Sequence, residues 1–180
     1  MRVRRHDASV RIACGVALCF LASRPLGAQD STSNDASSPS FWLSAGLGAG
    51  SAGRTGGLLA LQGSAWLANG PFVGGVRASL ASGLEYGDYA DEGALLAGAR
   101  TSRGPFSLIG ALGYSALSIR CEDSPCPGVS SARQGALAYS LQAHASLKVI
   151  GVGVELYGAS GEGMRRLSGV VGTVQLGWFP

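Results

Sequence analysis

Three side chains of this sequence have the chemical types that nucleophilic catalysis needs. His144 and Ser146 are separated by one residue, and Glu155 follows a short distance along the chain. A histidine can take the proton of a serine hydroxyl, and a carboxylate can orient that histidine. The three residues are therefore a candidate catalytic set. They could act together only if the fold brings their side chains close to one another.

A second candidate is the segment between Cys121 and Cys126, which also contains Glu122 and Asp123. Two thiols with neighbouring carboxylates could hold a metal ion, but they lack the four-ligand set of a structural zinc site. A disulfide between Cys121 and Cys126 that closes an exposed loop is the favoured interpretation.

A third candidate is an acidic segment that also carries tyrosines. It contains Glu85, Tyr86, Asp88, Tyr89, Asp91 and Glu92. A divalent cation or a partner could bind there, but the spacing of a calcium loop is absent. We interpret the segment as a solvated loop, and the sequence predicts neither a metal site nor a cofactor.

The distribution of charge excludes a basic binding surface. The 180-residue chain has 14 basic and 11 acidic residues. Five of the arginines lie in the first 28 residues, so nine basic and ten acidic residues remain in the rest. Charged residues make up only 14% of the chain, against roughly 25% in ordinary globular domains. A nucleic-acid partner is therefore not predicted.

The N-terminus has the pattern of an export signal. Arginines at positions 2, 4 and 5 precede an apolar run over 12–22, and small residues lead up to Ala28. We predict a signal peptide over 1–28, because the run is shorter than the roughly 17 residues that a membrane anchor requires. Residues 29–40 form a predicted flexible periplasmic tail. Export would carry Cys121 and Cys126 into an oxidising compartment.

The remainder, 41–180, alternates short segments of period-2 hydrophobicity with turn residues. We predict strands at 41–50, 58–68, 72–83, 92–101, 106–118, 133–145, 149–160 and 167–179. Links near 69–71, 102–105 and 146–148 are tight, whereas those at 51–57, 84–91, 119–132 and 161–166 are longer and more polar. This alternation is typical of an up-and-down transmembrane barrel.

In seven of the eight segments, the larger apolar residues share one parity, and polar residues or glycines occupy the other. The fourth segment is weaker, because Leu95 and Leu96 fill both parities. A soluble barrel would show the second face to water, where roughly 25 to 35% charge is usual. Only Arg77, Arg100 and Glu155 are charged in mid-strand, which is too few for a water-facing surface. A membrane barrel whose apolar outer face contacts lipid is therefore favoured over a soluble barrel. The predicted polar cluster of the lumen is Gln62, Arg77, Arg100, Gln142, His144 and Glu155.

Two further features concern the lumen and the membrane interface. Seven inward glycines (Gly46, Gly48, Gly75, Gly98, Gly113, Gly151 and Gly153) are expected to leave space for a partly hydrated interior. The aromatics Phe41, Phe72, Phe106 and Trp178 fall at strand ends on one side and predict an interfacial girdle. Trp42 and Trp66 have inward parity and are expected to pack in the core.

The final strand ends in alternating apolar residues followed by an aromatic pair. Its outward positions are Val174, Leu176 and Trp178, followed by Phe179. With the eight-strand pattern, this resembles the small outer-membrane β-barrels of Gram-negative bacteria, a porin-like superfamily that includes the barrel half of the outer membrane protein A family. The resemblance covers 41–179. It implies that Val174, Leu176, Trp178 and Phe179 form the signal for the barrel assembly machinery, and Pro180 departs from the usual terminal phenylalanine.

The resemblance also bears on the catalytic candidate. Lipid A deacylases of this class use a His-x-Ser pair and a glutamate, but they act at the outer leaflet. His144 and Ser146 fall at the predicted periplasmic end, so a polar lumen histidine is the favoured interpretation.

The sequence therefore predicts a non-enzymatic outer-membrane barrel with a structural or surface-interaction role. Its predicted partners are outer-membrane lipid, lipopolysaccharide and the assembly machinery. A narrow channel for small solutes is the second expectation, and a lipid A-modifying enzyme is the third.

Overall fold

The alternation of apolar with polar or glycine residues produces eight extended strands. The computed structural model describes residues 39–52, 55–83, 89–120, 133–161 and 166–179. The strands are β1 (Ser40–Ala52), β2 (Thr55–Asn69), β3 (Phe72–Ser82), β4 (Tyr89–Arg103), β5 (Phe106–Arg120), β6 (Gln134–Leu147), β7 (Ile150–Gly161) and β8 (Arg166–Trp178). Each pairs antiparallel with its sequence neighbours, and β1 also pairs with β8. The predicted closed all-β barrel is confirmed. The described part of the chain contains no helix long and apolar enough to cross a membrane.

Three two-residue turns join β2 to β3, β4 to β5 and β6 to β7 at one end of the barrel, which we call the tight-turn end. The first residue of each turn has a positive φ, of 59° at Gly70, 58° at Gly104 and 54° at Lys148. Pro71 and Pro105 occupy the second position, where their carbonyl oxygens accept backbone hydrogen bonds from β4 and β6. Proline fits there because only its acceptor is used.

The links at the opposite, long-link end differ most from the prediction between β1 and β2. Strand β1 continues to Ala52 and β2 begins at Thr55, so only residues 53 and 54 separate them. The other three links, over 83–88, 121–133 and 162–165, are longer than the tight turns as predicted. The difference arises because small residues on both strands continue the pairing beyond the larger apolar side chains, as in the pair of Ala52 with Thr55.

The two faces of the wall follow the predicted parity. Large apolar side chains on the outer face include Leu47, Leu112, Leu137 and Val174, all more than half exposed. Most of the intervening inward positions are buried, and many are polar. Leu95 and Leu96, which left the parity of the fourth segment ambiguous, separate into an outward and a buried inward residue. An apolar outer surface on a closed barrel is suited to contact with lipid, because closure pairs all strand backbones.

Several predicted features lie outside the described residues. They are the signal peptide over 1–28, most of the 29–40 tail, Cys121, Cys126, Glu85, Tyr86, Asp88 and Pro180.

Candidate functional site: the interior of the barrel

A buried ion cluster crosses the middle of the lumen. The Arg77 guanidinium on β3 lies 2.8 Å from a carboxylate oxygen of Glu92 on β4 and 3.6 Å from one of Glu155 on β7. The three side chains are at most 1% exposed. The cluster links β3, β4 and β7, and thereby ties opposite sides of the wall together.

Hydrogen bonds satisfy most of the remaining capacity of these groups. Arg77 also donates to the backbone carbonyls of Tyr139, at 2.8 Å, and Gly158, at 3.2 Å. Its guanidinium carbon lies 5.0 Å from the centroid of the Tyr157 ring, within cation–π range. A buried charge is tolerated only when it is paired and hydrogen-bonded in this way.

The carboxylates receive further donors from neighbouring strands. Ser79 donates to Glu92 at 2.8 Å, and Ser140 donates to Glu155 at 2.7 Å. Gln62 on β2 donates to the second oxygen of Glu155. Two carboxylates face one guanidinium, so these neutral donors stabilise the excess negative charge. We call Gln62, Arg77, Ser79, Glu92, Ser140 and Glu155 the central polar layer.

Apolar side chains lie on both sides of the central polar layer. Along β2, Leu58 and Ala60 precede Gln62, and Trp66 and Ala68 follow Ser64; all four apolar residues are buried. Strands β3 and β4 repeat the apolar, polar, apolar order. The lumen of this narrow barrel is thus filled by side chains, as expected for eight strands.

Aromatic rings fill the lumen at the tight-turn end. Trp42 and Trp66 stack with their ring centroids 6.3 Å apart. The centroid of the His144 ring lies 5.9 Å from the ring centroids of both Trp42 and Phe179. Phe179 turns inward and packs on this group, and its amide donates to the Lys148 carbonyl at 3.4 Å. We call Trp42, Trp66, His144 and Phe179 the aromatic plug.

The predicted polar cluster and the central polar layer share Gln62, Arg77 and Glu155, whereas Arg100 and His144 lie towards the tight-turn end. The sequence pattern groups Arg100 with Arg77 and Glu155, but the Arg100 guanidinium donates to the Gly70 carbonyl at 2.9 Å and to Ser40 at 2.7 Å, at the tight-turn end. Arg100 lies too close to the end of β4 to reach the centre of the lumen. Glu92 takes its place because β4 begins at Tyr89, three residues before it, so Glu92 lies inside the strand. The missed signal was the inward parity that Glu92 shares with Ala94 and Leu96.

The other predicted lumen residues are placed inside the wall. Gln142 is buried and donates to Ser140 at 3.3 Å, so it adjoins the central polar layer. Within the described residues, several buried polar atoms have no protein partner, among them the Gln142 and Gln175 carbonyl oxygens and the Ser44 hydroxyl. Such groups are usually satisfied by water.

Some inward glycines accommodate close packing and leave little space. A Cβ atom at Gly75 would lie 2.6 Å from the ring of Trp66, so this glycine makes room for the indole against β3. At Gly98 and Gly113, a Cβ atom would collide with the backbone of the neighbouring strand. The expectation that these glycines create space for water is therefore wrong at these three positions.

The candidate catalytic side chains are not assembled. His144 belongs to the aromatic plug, whereas Glu155 is bonded to Ser140 and Gln62 in the central polar layer. Ser146 makes a backbone hydrogen bond at the tight-turn end, from its amide to the Pro105 carbonyl. Among the described residues, no group of three His, Cys, Asp or Glu side chains could hold a metal ion.

The predicted girdle residues lie at the tight-turn end. Phe72, Phe106 and Trp178 point outward and are 64%, 65% and 71% exposed, and Phe41 is half-buried beside Trp178. Of the residues in the predicted assembly signal, Val174, Leu176 and Trp178 face outward. Phe179 differs, because its ring packs inward on Trp42 and His144.

Comparison of whole folds finds small membrane barrels. The structure is similar to Neisserial surface protein A, with a TM-score of 0.55 at 9% identity over 77% of this chain and 96% of that one. For Ail, the attachment invasion locus protein of Yersinia pestis, the TM-score is 0.52 at 12% identity over 78% and 97%. For the outer membrane enzyme PagL, it is 0.50 at 15% identity over 75% and 98%.

Sequence comparison adds nothing to this likeness: no protein-family model matches the chain, and no curated protein matches it. The fold likeness, the closed barrel and the apolar outer face agree with the predicted outer-membrane location. This chain has the fold of the small eight-stranded outer-membrane β-barrels.

Proposed function

We propose that this protein is a non-enzymatic outer-membrane barrel with a closed lumen, whose role is structural or lies in surface interaction. The observation that carries the proposal is the cluster of Arg77, Glu92 and Glu155, which spans the lumen with no exposed charge. The aromatic plug closes the tight-turn end beneath it. A solute would have to displace both.

The orientation follows from the links. Short turns of such barrels face the periplasm and longer loops face outward. The girdle residues Phe72, Phe106 and Trp178 would then lie at the periplasmic interface, where aromatic rings are favoured. The outward face would contact lipopolysaccharide, and β8 would be recognised by the barrel assembly machinery during insertion.

The non-enzymatic assignment is supported by the separate environments of His144 and Glu155. A general base must reach the proton that it removes, within about 3 Å. His144 instead lies among aromatic rings at the end opposite to the outer leaflet. Mass spectrometry of lipid A from cells with and without the protein tests this assignment, and a change in acylation that depends on His144 would contradict it.

Two measurements test the proposed class together. Folded protein in outer-membrane fractions should migrate differently in gels before and after boiling, because a closed barrel resists detergent until heated. In planar bilayers, the protein should produce no steady conductance. Steady porin-like openings would overturn the closed lumen and leave the barrel assignment intact.

A narrow channel is the second candidate, and one observation favours it. The unpartnered polar atoms of Ser44, Gln142 and Gln175 lie in the tight-turn half of the lumen and could line a single file of water molecules. The path would then be interrupted at the central polar layer. Removal of the Arg77 charge separates the candidates, since a channel gated there would open.

A further inference from the structure

A groove crosses the outer wall of the barrel over β3, β4 and β5. Its floor is formed by Ala78, Gly93 and Ala116, which are direct cross-strand neighbours. Leu80 and Tyr89 stand along its sides, and its volume is about 850 Å³. This volume falls within the roughly 300 to 1,000 Å³ of small-molecule sites.

The groove opens to the lipid side of the wall. Ala78 and Gly93 are exposed outward-facing residues, whereas the adjacent Ser79 and Glu92 are buried in the lumen. The three floor residues belong to a row of small outward residues that continues to Gly63 on β2 and Gly135 on β6. Larger exposed side chains, such as Leu80 and Leu95, stand beside this row, so the row forms a depression in the apolar belt.

Two arginines line the same groove at its long-link end. Arg120 ends β5, and Arg133 immediately precedes β6. Arg133 lies 3.1 Å from Asp91, but its side chain is 72% exposed and keeps donors free on its solvent side. Within the described residues, no carboxylate forms an ion pair with Arg120. Asp91 and Glu92 also line the groove, but the Glu92 carboxylate is paired with Arg77 in the lumen. Among the described residues of the rim, two arginines therefore face one outward carboxylate, which gives this part of the rim a net positive charge above an apolar floor.

An apolar groove beneath guanidinium groups is complementary to one class of molecule, a lipid with a phosphorylated headgroup. We infer that this groove binds the lipid A part of lipopolysaccharide, with one acyl chain over Ala78, Gly93 and Ala116 and its phosphates against Arg120 and Arg133. Arginine binds phosphate oxygens with paired hydrogen bonds. The choice of lipid A over a glycerophospholipid rests on the proposed function, which places the long-link end in the outer leaflet.

The test uses the full mature chain, refolded in detergent and transferred to phosphatidylcholine nanodiscs that contain a small fraction of lipid A. Native mass spectrometry counts the lipid A molecules retained per barrel after transfer to detergent. Wild-type protein should retain one. The double variant Arg120→Ala/Arg133→Ala should retain at least tenfold less, because it loses the charge-assisted hydrogen bonds.

A second variant tests the acyl chain separately from the charges. Ala116→Leu places a bulky side chain on the groove floor and should reduce retention to a similar extent. Ala97→Leu is the matched control, because Ala97 is also an outward alanine, one strand away on β4 and outside the groove. Arg166→Ala is the control for charge, because Arg166 is exposed at the long-link end but lies on β8. Both controls should retain lipid A as the wild type does.

Equal retention by all variants, or equal loss in the controls, would overturn the site. Retention of phosphatidylglycerol as strongly as lipid A would overturn the assignment of the ligand. Heat-modifiable migration of each variant is recorded in parallel. A folded barrel that binds no lipid A contradicts only this inference, whereas failure of the wild type to show heat-modifiability contradicts the proposed function.

Discussion

At the scale of single residues, Arg77 is the charge that holds the two carboxylates of the central polar layer together. Its guanidinium is the only basic group among the described residues that contacts Glu92 and Glu155. Breaking a buried ion pair by removing one partner costs far more than breaking an exposed pair, because the remaining charge loses its compensation in a medium of low polarity.

Arg77→Met should therefore lower the free energy of unfolding by about 3 to 5 kcal/mol. Urea titration of the refolded barrel in lipid vesicles measures this value. Arg133→Ala removes the exposed pair with Asp91 and is the control, with an expected loss of about 0 to 1 kcal/mol. Similar losses in the two variants would mean that the central cluster is solvated.

At the scale of elements, the three tight turns have one geometry but different residues. Two use glycine at the position of positive φ, and the third uses Lys148 with φ of 54°. A side chain in this region is strained relative to glycine. The barrel accepts the strain because the flanking strands β6 and β7 fix the turn.

Lys148→Gly should accordingly raise the free energy of unfolding, by about 1 kcal/mol. The same urea titration detects the change. Gly104→Ala, at the equivalent position of the β4–β5 turn, should lower stability by a comparable amount. If Lys148→Gly were instead destabilising, the relief of strain would be outweighed by the greater entropy of the unfolded chain.

The aromatic plug is the other element-scale feature. Trp42→Ala removes the stacked partner of Trp66 and a neighbour of His144 and Phe179, and a core Trp→Ala change costs about 3 to 5 kcal/mol. Because the central polar layer stays in place, we expect no steady conductance in planar bilayers. Conductance in Trp42→Ala alone would show that the plug is the only barrier.

At the scale of the whole molecule, the outer surface is an apolar belt, and the polar groups lie inside. Leu112, in the middle of β5, is 63% exposed, and Leu147, at the end of β6, is 78% exposed. In water these two positions would be equivalent. In a bilayer we expect them to differ, because the middle of β5 would lie at the depth of the hydrocarbon core and the end of β6 would not.

Leu112→Arg should thus lower the free energy of unfolding in vesicles by about 2 to 4 kcal/mol, and Leu147→Arg by about 0 to 1 kcal/mol. Refolding and urea titration in the same vesicles provide both values. Equal effects would contradict the proposed membrane depth of the belt.

Much of this architecture could be predicted from local pattern. Three signals can be recognised from neighbouring residues along the chain. They are the opposite faces of Leu112 and Ala111, the glycine–proline turns at 70–71 and 104–105, and the aromatic residues at strand ends. These signals are local because a strand alternates its faces with period two. They determined the strand number, the barrel class and the lipid-facing side.

The partners across the lumen were decided only by the tertiary structure. Arg77 and Glu155 lie on β3 and β7, and no local rule states which inward residues meet when the sheet closes. The register and closure placed Glu92 with Arg77, moved Arg100 to the tight-turn end and separated His144 from Glu155. Local alternation determines which face a side chain occupies, whereas the distance between two inward side chains depends on the curvature and stagger of the whole wall.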